Sequence, residues 1–422
     1  MRARPASVAH LGLSPRQAGE RLLARARRAP WWLSVLAVYA ASRIVSTGIL
    51  LHVASRQPAN AWTPAQPGYF DFARLWDGTW YWIIAAGGYP DDIPRDEAGL
   101  ATENAFAFMP VYPFVVRGVM VLTGLEFAAA AVAVSVVAGA VAAMLFHRLV
   151  RTWLDERAAL LATALLCLAP ISPILQVAYA ESLHLAMLLG ALLLLLERRY
   201  APLAVLVTIM ALTRPSGLAF ALALAPLLAW RWRRHRRGLE PFPVRERVEL
   251  AAVTVIAGLA GLAWPGIVAL ATGDLTGYTD TELAWRRPYV GPVELVPFTA
   301  WWQGARWWLG ETAGPVVLAL VLVAASASFA LPQMRRMPVA IRCWIIAYAV
   351  YLLAVFFPQS STFRLLLPLA PALGALAAGA LAVRPRWLRA LIVVTMLAVS
   401  IAGQYGWVHI AWWVDGIDWT PP

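Results

Sequence analysis

At 422 residues, 61% of them hydrophobic and 14% charged, with a mean hydropathy of +0.65, the chain is too apolar to pack as one soluble domain and reads as an all-α polytopic membrane protein. Its net charge of +12 rests on arginine alone, with no lysine. Those arginines fall in short segments between apolar runs, the pattern of cytoplasmic loops and not of a nucleic-acid surface. Cys167 and Cys343 lie in separate apolar runs without CxxC spacing, which argues against a disulfide or a metal site built on them.

About 20 apolar residues cross a hydrocarbon core. On that measure the sequence predicts eleven spans, at 31–54, 128–147, 158–176, 183–197, 201–213, 216–230, 249–272, 313–332, 343–357, 365–383 and 390–410. The pair 183–197 and 201–213 is short for spans. The segment 105–127 is apolar but holds Pro110, Pro113 and Arg117, and is expected to lie at or dip into the outer surface. Residues 1–30 form a basic tail, 31–410 one transmembrane domain, and 411–422 an outer tail. The tail arginines, Arg148, Arg151, Arg157, Arg198, Arg199, the run from Arg231 to Arg247, Arg335, Arg336, Arg342, Arg384, Arg386 and Arg389 all fall on one side, the expected cytoplasm. Loops 55–127 and 273–312 then face the exoplasm. The tryptophans of the second, Trp301, Trp302, Trp307 and Trp308, suit a helix lying on the membrane surface.

The first loop carries the most informative run, Arg74-Leu-Trp-Asp-Gly-Thr-Trp-Tyr-Trp82, in which Asp77 sits among Trp76, Trp80, Tyr81 and Trp82. A proton acceptor beside aromatic rings that favour the headgroup level and stack on sugars points to an enzyme acting on a lipid-borne substrate. Asp77 also suits a helix start. Asp71, in Phe70-Asp71-Phe72, is an auxiliary candidate or a solvated loop carboxylate. Asp91, Asp92, Asp96 and Glu97 follow Pro90 in a polar stretch typical of an exposed loop.

The succession Trp76-Asp-Gly-Thr-Trp80-Tyr81, Gly88-Tyr-Pro90, Asn104 to Pro113, Tyr179-Ala-Glu181-Ser182, Thr213-Arg214-Pro215-Ser-Gly217 and Phe363-Arg364-Leu-Leu-Leu-Pro368 resembles, in order, the motifs of the PIG-V family of mannosyltransferases. The resemblance covers about 31–410. It implies a GT-C-like bundle of about eleven transmembrane helices, with surface helices in the first loop. It also implies transfer of a mannosyl residue from a polyprenyl-phosphate donor on the exoplasmic face. The compositional bias suggests a bacterial source and hence a bacterial cytoplasmic membrane, with a lipid-linked or cell-envelope glycan as acceptor.

Inverting transfer of that kind needs a base, and Asp77 is the residue expected to act as one. The leaving lipid phosphate needs positive charge, for which Arg214 and Arg364 are the candidates, with a structural pairing such as Arg214 to Glu181 as the alternative. Glu181, at the outer start of a span, either pairs with an arginine or touches substrate. Asn104 is expected to position a sugar hydroxyl or to hold a turn, and Trp80 and Tyr81 to offer ring faces. His184 reads as a packing residue, Arg43 as a partner in an intramembrane ion pair, and Arg286 and Arg287 as ordinary surface arginines or side contacts to lipid phosphate. No cofactor is expected. Without an Asp-x-Asp pair in the first loop, metal independence is expected too, with a divalent cation left open. A lipid-linked sugar transporter or a non-catalytic subunit of a glycan-assembly complex are the competing classes, although no inverted repeat is evident.

Overall fold

The computed structural model describes residues 30–414, so the basic N-terminal tail and most of the 411–422 tail lie outside the described residues. Within them the chain is helical, with one isolated bridge between Arg95 and Ala101 and no strand. Each of the eleven predicted spans coincides with a helix or a pair of helices. Trp31–Ala54, Phe127–Val150, Val244–Thr272 and Arg386–Ala411 are each long and apolar enough to cross a membrane alone. A further pair, Thr362–Leu369 and Ala372–Ala382, is apolar enough to cross as one unit but meets at 74°, the form of a broken span or a re-entrant loop. Pro368 and Pro371 lie at that break, where each withholds an N–H that a continuous helix would use.

Glu181–Leu196, Tyr200–Ala211, Ala313–Ser328 and Val339–Val355 are apolar but only 12 to 17 residues long. At about 1.5 Å per residue they fall short of a core about 30 Å thick. The turns before Glu181 and after Ala211 and Val355 border the site described below. Segment 105–127 forms Val111–Thr123, a 13-residue helix also too short to cross alone.

Lipid tails are as apolar as leucine, so helices in a membrane hold together by close packing. The core is centred on Phe146, Leu188, Phe220 and Trp344, all fully buried. Gly217–Arg236 and Val244–Thr272 cross with their backbones in contact. A Cβ on Gly261 would lie 2.4 Å from the Leu218 nitrogen, and one on Gly217 2.6 Å from the Gly261 nitrogen. At the far end of Gly217–Arg236, about 20 Å along the helix, Arg231 pairs with Glu246. Arg198 and Arg234 hold Glu240 there, at 2.9 and 3.2 Å.

Arg43 departs from expectation, since it makes no ion pair among the described residues. Its Nη1 donates to the Ser172 carbonyl at 2.7 Å and its Nη2 to that of Cys167 at 2.8 Å. Cys167 belongs to the last turn of Glu156–Leu168. The guanidinium thus satisfies carbonyls orphaned by a helix end and sits at the negative pole of that helix, where a cation is stabilised without a carboxylate.

The two large loops are laced into one cap. Arg95 pairs with Asp274 at 2.6 Å and Arg287 with Asp96 at 2.8 Å. The Trp264 indole donates to the Phe106 carbonyl at 2.8 Å. The second loop folds into the short helices Gly277–Ala284, Arg287–Val290 and Ala300–Leu309, the last carrying the four tryptophans predicted for a surface helix.

Candidate active site

Asp77 is the first residue of Asp77–Gly87, and it does not cap that helix: the start has no side-chain cap hydrogen bond. The preceding Trp76 has φ of 61°, a left-handed value that costs a bulky residue about 1–3 kcal/mol and tends to persist where function holds it. This backbone turn aims the Asp77 carboxylate inward. The Asp77 N–H donates to the Tyr179 hydroxyl at 3.3 Å, and Asp77 is 6% exposed.

The structure brings Asp77 to three other residues singled out from the sequence. Arg364 Nη1 donates both to Asp77 Oδ2 and to Glu181 Oε1, the latter at 3.1 Å. Arg214 Nη1 pairs with the same Glu181 oxygen at 2.9 Å. Four charged groups from four parts of the chain thus form one alternating row, Asp77, Arg364, Glu181, Arg214. The Tyr179 ring lies beneath the Arg364 guanidinium, 5.3 Å from it. The pairing is incomplete: Glu181 Oε2 and Arg364 Nε are buried without a partner, and Arg214 has no second partner among the described residues. Burial raises the Asp77 carboxyl above the ordinary aspartate value, with Arg364 beside it opposing the rise.

Two adjoining chambers open from this row. The larger, about 340 Å³, lies among the spans and is mostly apolar, walled by residues such as Leu218, Leu262, Trp264 and Leu352, with Glu181 and His184 at its polar end. The smaller, about 140 Å³, is reached by Asp77 and carries Tyr81, Phe108, Trp285, Gln359 and Ser361. Arg214, Arg364, Glu282 and Arg286 line both. An apolar slot, paired cations at its mouth and a carboxylate among aromatic rings can together hold an anionic lipid headgroup beside a polar, ring-shaped reactant.

The remaining candidates are placed differently. Asn104 lines neither chamber. Its Oδ1 accepts from the Phe106 N–H, and its Nδ2 donates to Thr281 Oγ1 and the Thr102 carbonyl, each between 2.8 and 2.9 Å. It therefore holds a turn and ties the two loops. Asp71 is exposed on Tyr69–Ala73 and lines neither chamber. Trp80 stacks on Phe108 with centroids 5.9 Å apart and meets Trp285 edge-on, behind the chamber wall. His184 shares a hydrogen bond with Ser216 at 2.9 Å, in keeping with a packing residue.

Arg286, expected as a surface arginine or a side contact to lipid phosphate, lines both chambers, and so does Glu282, one of the acidic residues of loop 273–312. The signal they carry is spacing, since Tyr278, Glu282 and Arg286 stand four apart and so share one helical face. Burial raises the Glu282 carboxyl above the ordinary range. Among the described residues no group of three or more His, Cys, Asp or Glu side chains is placed to hold a metal ion.

The helical arrangement is similar to that of ArnT from Cupriavidus metallidurans bound to undecaprenyl phosphate. The match has a TM-score of 0.50 and 16% sequence identity, over 86% of this chain and 63% of that one. The archaeal oligosaccharyltransferase AglB from Archaeoglobus fulgidus, in complex with an inhibitory peptide and a dolichol-phosphate, aligns with a TM-score of 0.48 and 14% identity, over 91% of this chain and 56% of that one. The chain thus spans less than two thirds of the length of either. No family model and no curated protein matches the sequence. The described residues thus share an all-helical fold with the ArnT structure and include helices long and apolar enough to cross a membrane.

Proposed function

We propose that this protein is a membrane glycosyltransferase that moves a sugar from a polyprenyl-phosphate donor to a hydroxyl of a lipid-linked or cell-envelope glycan, on the exoplasmic face of a bacterial cytoplasmic membrane. The observation that carries this reading is the row of Asp77, Arg364, Glu181 and Arg214 standing where an apolar chamber meets an aromatic one. The ordered motifs that resemble PIG-V mannosyltransferases support mannose as the sugar. The donor's lipid chain enters the larger chamber, its phosphate meets Arg214 and Arg364, and the acceptor enters beside Asp77. Asp77 takes the proton of the acceptor hydroxyl as its oxygen bonds to the anomeric carbon. The bond from that carbon to the phosphate oxygen breaks with its electron pair on the phosphate, and the two arginines stabilise the added charge. Attack from the face opposite the phosphate inverts the anomeric centre.

Asp77→Asn keeps the shape and removes the base, so it should lower kcat by about 10²–10⁴-fold while polyprenyl phosphate binds at least as tightly as to the wild type, because Arg364 loses a competing carboxylate. The test is transfer of radiolabelled mannose from polyprenyl-phosphate mannose into a membrane lipid extract by the purified protein in lipid. Equal transfer by the variant would remove Asp77 from this role.

A further inference from the structure

Three carboxylates and three guanidiniums line the two chambers: Asp77, Glu181 and Glu282 against Arg214, Arg286 and Arg364. Asp77 and Glu181 each lie within ion-pair distance of an arginine. Glu282 does not, among the described residues. Arg286, one turn further along, instead donates to the Val355 carbonyl at the end of Val339–Val355. The charges of Arg286 and Arg214 act on Glu282 from beyond ion-pair distance, and the Tyr278 hydroxyl lies within hydrogen-bonding reach of it. Its residue is half-buried and forms part of the wall common to both chambers.

We propose that Glu282 forms, with Tyr278, a subsite that binds hydroxyl groups of the donor sugar and thereby selects which sugar is transferred. This rests on the glycosyl-transfer reading above. In-line displacement sets the acceptor oxygen, the anomeric carbon and the phosphate oxygen in a row. Asp77 reaches only the smaller chamber and the phosphate-binding arginines face both, so the sugar ring has to occupy the junction, and Glu282 stands on that wall. A half-buried carboxylate with one hydroxyl beside it and open space before it has acceptor capacity to spare for further hydrogen-bond donors. Neighbouring hydroxyls of a sugar supply two without adding charge, whereas a second phosphate would be repelled. Trp285 and Phe108 flank the smaller chamber with ring faces suited to sugar C–H groups. A site built to accept from a hydroxyl discriminates strongly against the analogue that lacks it, because its own polar group is then left unpaired.

The test uses the full chain in lipid nanodiscs with Asp77→Asn as background, so that ligands are bound and not turned over. The probes are polyprenyl-phosphate mannose, its 2-, 3- and 4-deoxy analogues, and bare polyprenyl phosphate. The expected result is that at least one deoxy analogue binds tenfold or more weakly than the parent. Adding Glu282→Gln, or Glu282→Ala as a second variant, should bring that ratio close to one while bare polyprenyl phosphate binds as before. A ratio unchanged by both substitutions overturns the proposal, as does an equal loss of bare polyprenyl phosphate, which would mark a structural role. Mannosyl donor bound no better than the bare lipid also overturns the subsite alone. Failure of the chain to bind bare polyprenyl phosphate at all would instead overturn the glycosyl-transfer reading and the subsite with it.

Discussion

Arg364 gives a single nitrogen to two carboxylates, Asp77 and Glu181, that lie 287 and 183 positions away in the chain. This sharing sets the ionisation of Asp77, because burial pushes its carboxyl up and the positive charge of Arg364 pulls it back down. Replacing Arg364 with glutamine removes the main downward pull and leaves burial opposed only by the weaker influence of Arg214. The pKa of Asp77 then rises further, and at any given acidic pH less of the base is ionised. Under the glycosyl-transfer reading, the acid limb of the rate–pH profile should therefore move to higher pH in Arg364→Gln, alongside a fall in kcat from the lost phosphate contact. A profile of the same shape as the wild type's, merely scaled down, would show that Arg364 does not act on the base. Asp77, Glu181, Arg214 and Arg364 stand out in the sequence because charge at membrane depth is costly. Their shared partners do not, since nothing in four separate motifs states which charge faces which. Glu282 was passed over for a related reason: written in a line beside Asp280 it looks like a solvated loop carboxylate, and only the folded cap turns it inward.

At the scale of elements, the site depends on helices that stop early. Glu181–Leu196 begins and Val339–Val355 ends at the chambers, and the 74° break after Leu369 turns the segment carrying Arg364 toward them. Hydropathy placed these helices well, and the shortness of 183–197 and 201–213 was visible in the count of apolar residues. The use made of that shortness was not, because a truncated helix and a tilted one look alike in a hydropathy profile. The contact of Gly217 with Gly261 was also hidden, as either glycine alone reads as ordinary composition. Gly261→Leu should force apart the backbones of Gly217–Arg236 and Val244–Thr272, both of which border the larger chamber. Overpacking of this kind costs about 1–3 kcal/mol, to be read as a lower midpoint of thermal unfolding in detergent. An unchanged midpoint would mean that the crossing yields easily.

Across the whole molecule, two loops nearly 200 residues apart close over the site through Arg95 with Asp274, Arg287 with Asp96 and Asn104 with Thr281. Single exposed ion pairs contribute about 0–1 kcal/mol each, so the cap should loosen long before the bundle unfolds. Arg287→Ala is expected to speed amide hydrogen exchange in residues 94–104 and to leave the unfolding midpoint nearly unchanged. Exchange that stays slow in that segment would show that the apolar contacts of Phe106 and Trp264 hold the cap unaided. The acidic character of the first loop was plain from the sequence, but the pairing of its charges with the second loop depends on a fold that brings 96 beside 287.

The single nitrogen shared at the centre of the row carries one more consequence, of a thermodynamic kind. A phosphate bound to Arg364 offsets part of the positive charge that faces Asp77, so anion and aspartate compete for the same cation. By reciprocity, protonating Asp77 releases Arg364 and favours the anion, while a bound anion makes Asp77 easier to protonate. Under the glycosyl-transfer reading, acidity therefore tightens the hold on the donor while it silences the base. The empty protein keeps its base quenched until a phosphate arrives to claim the arginine.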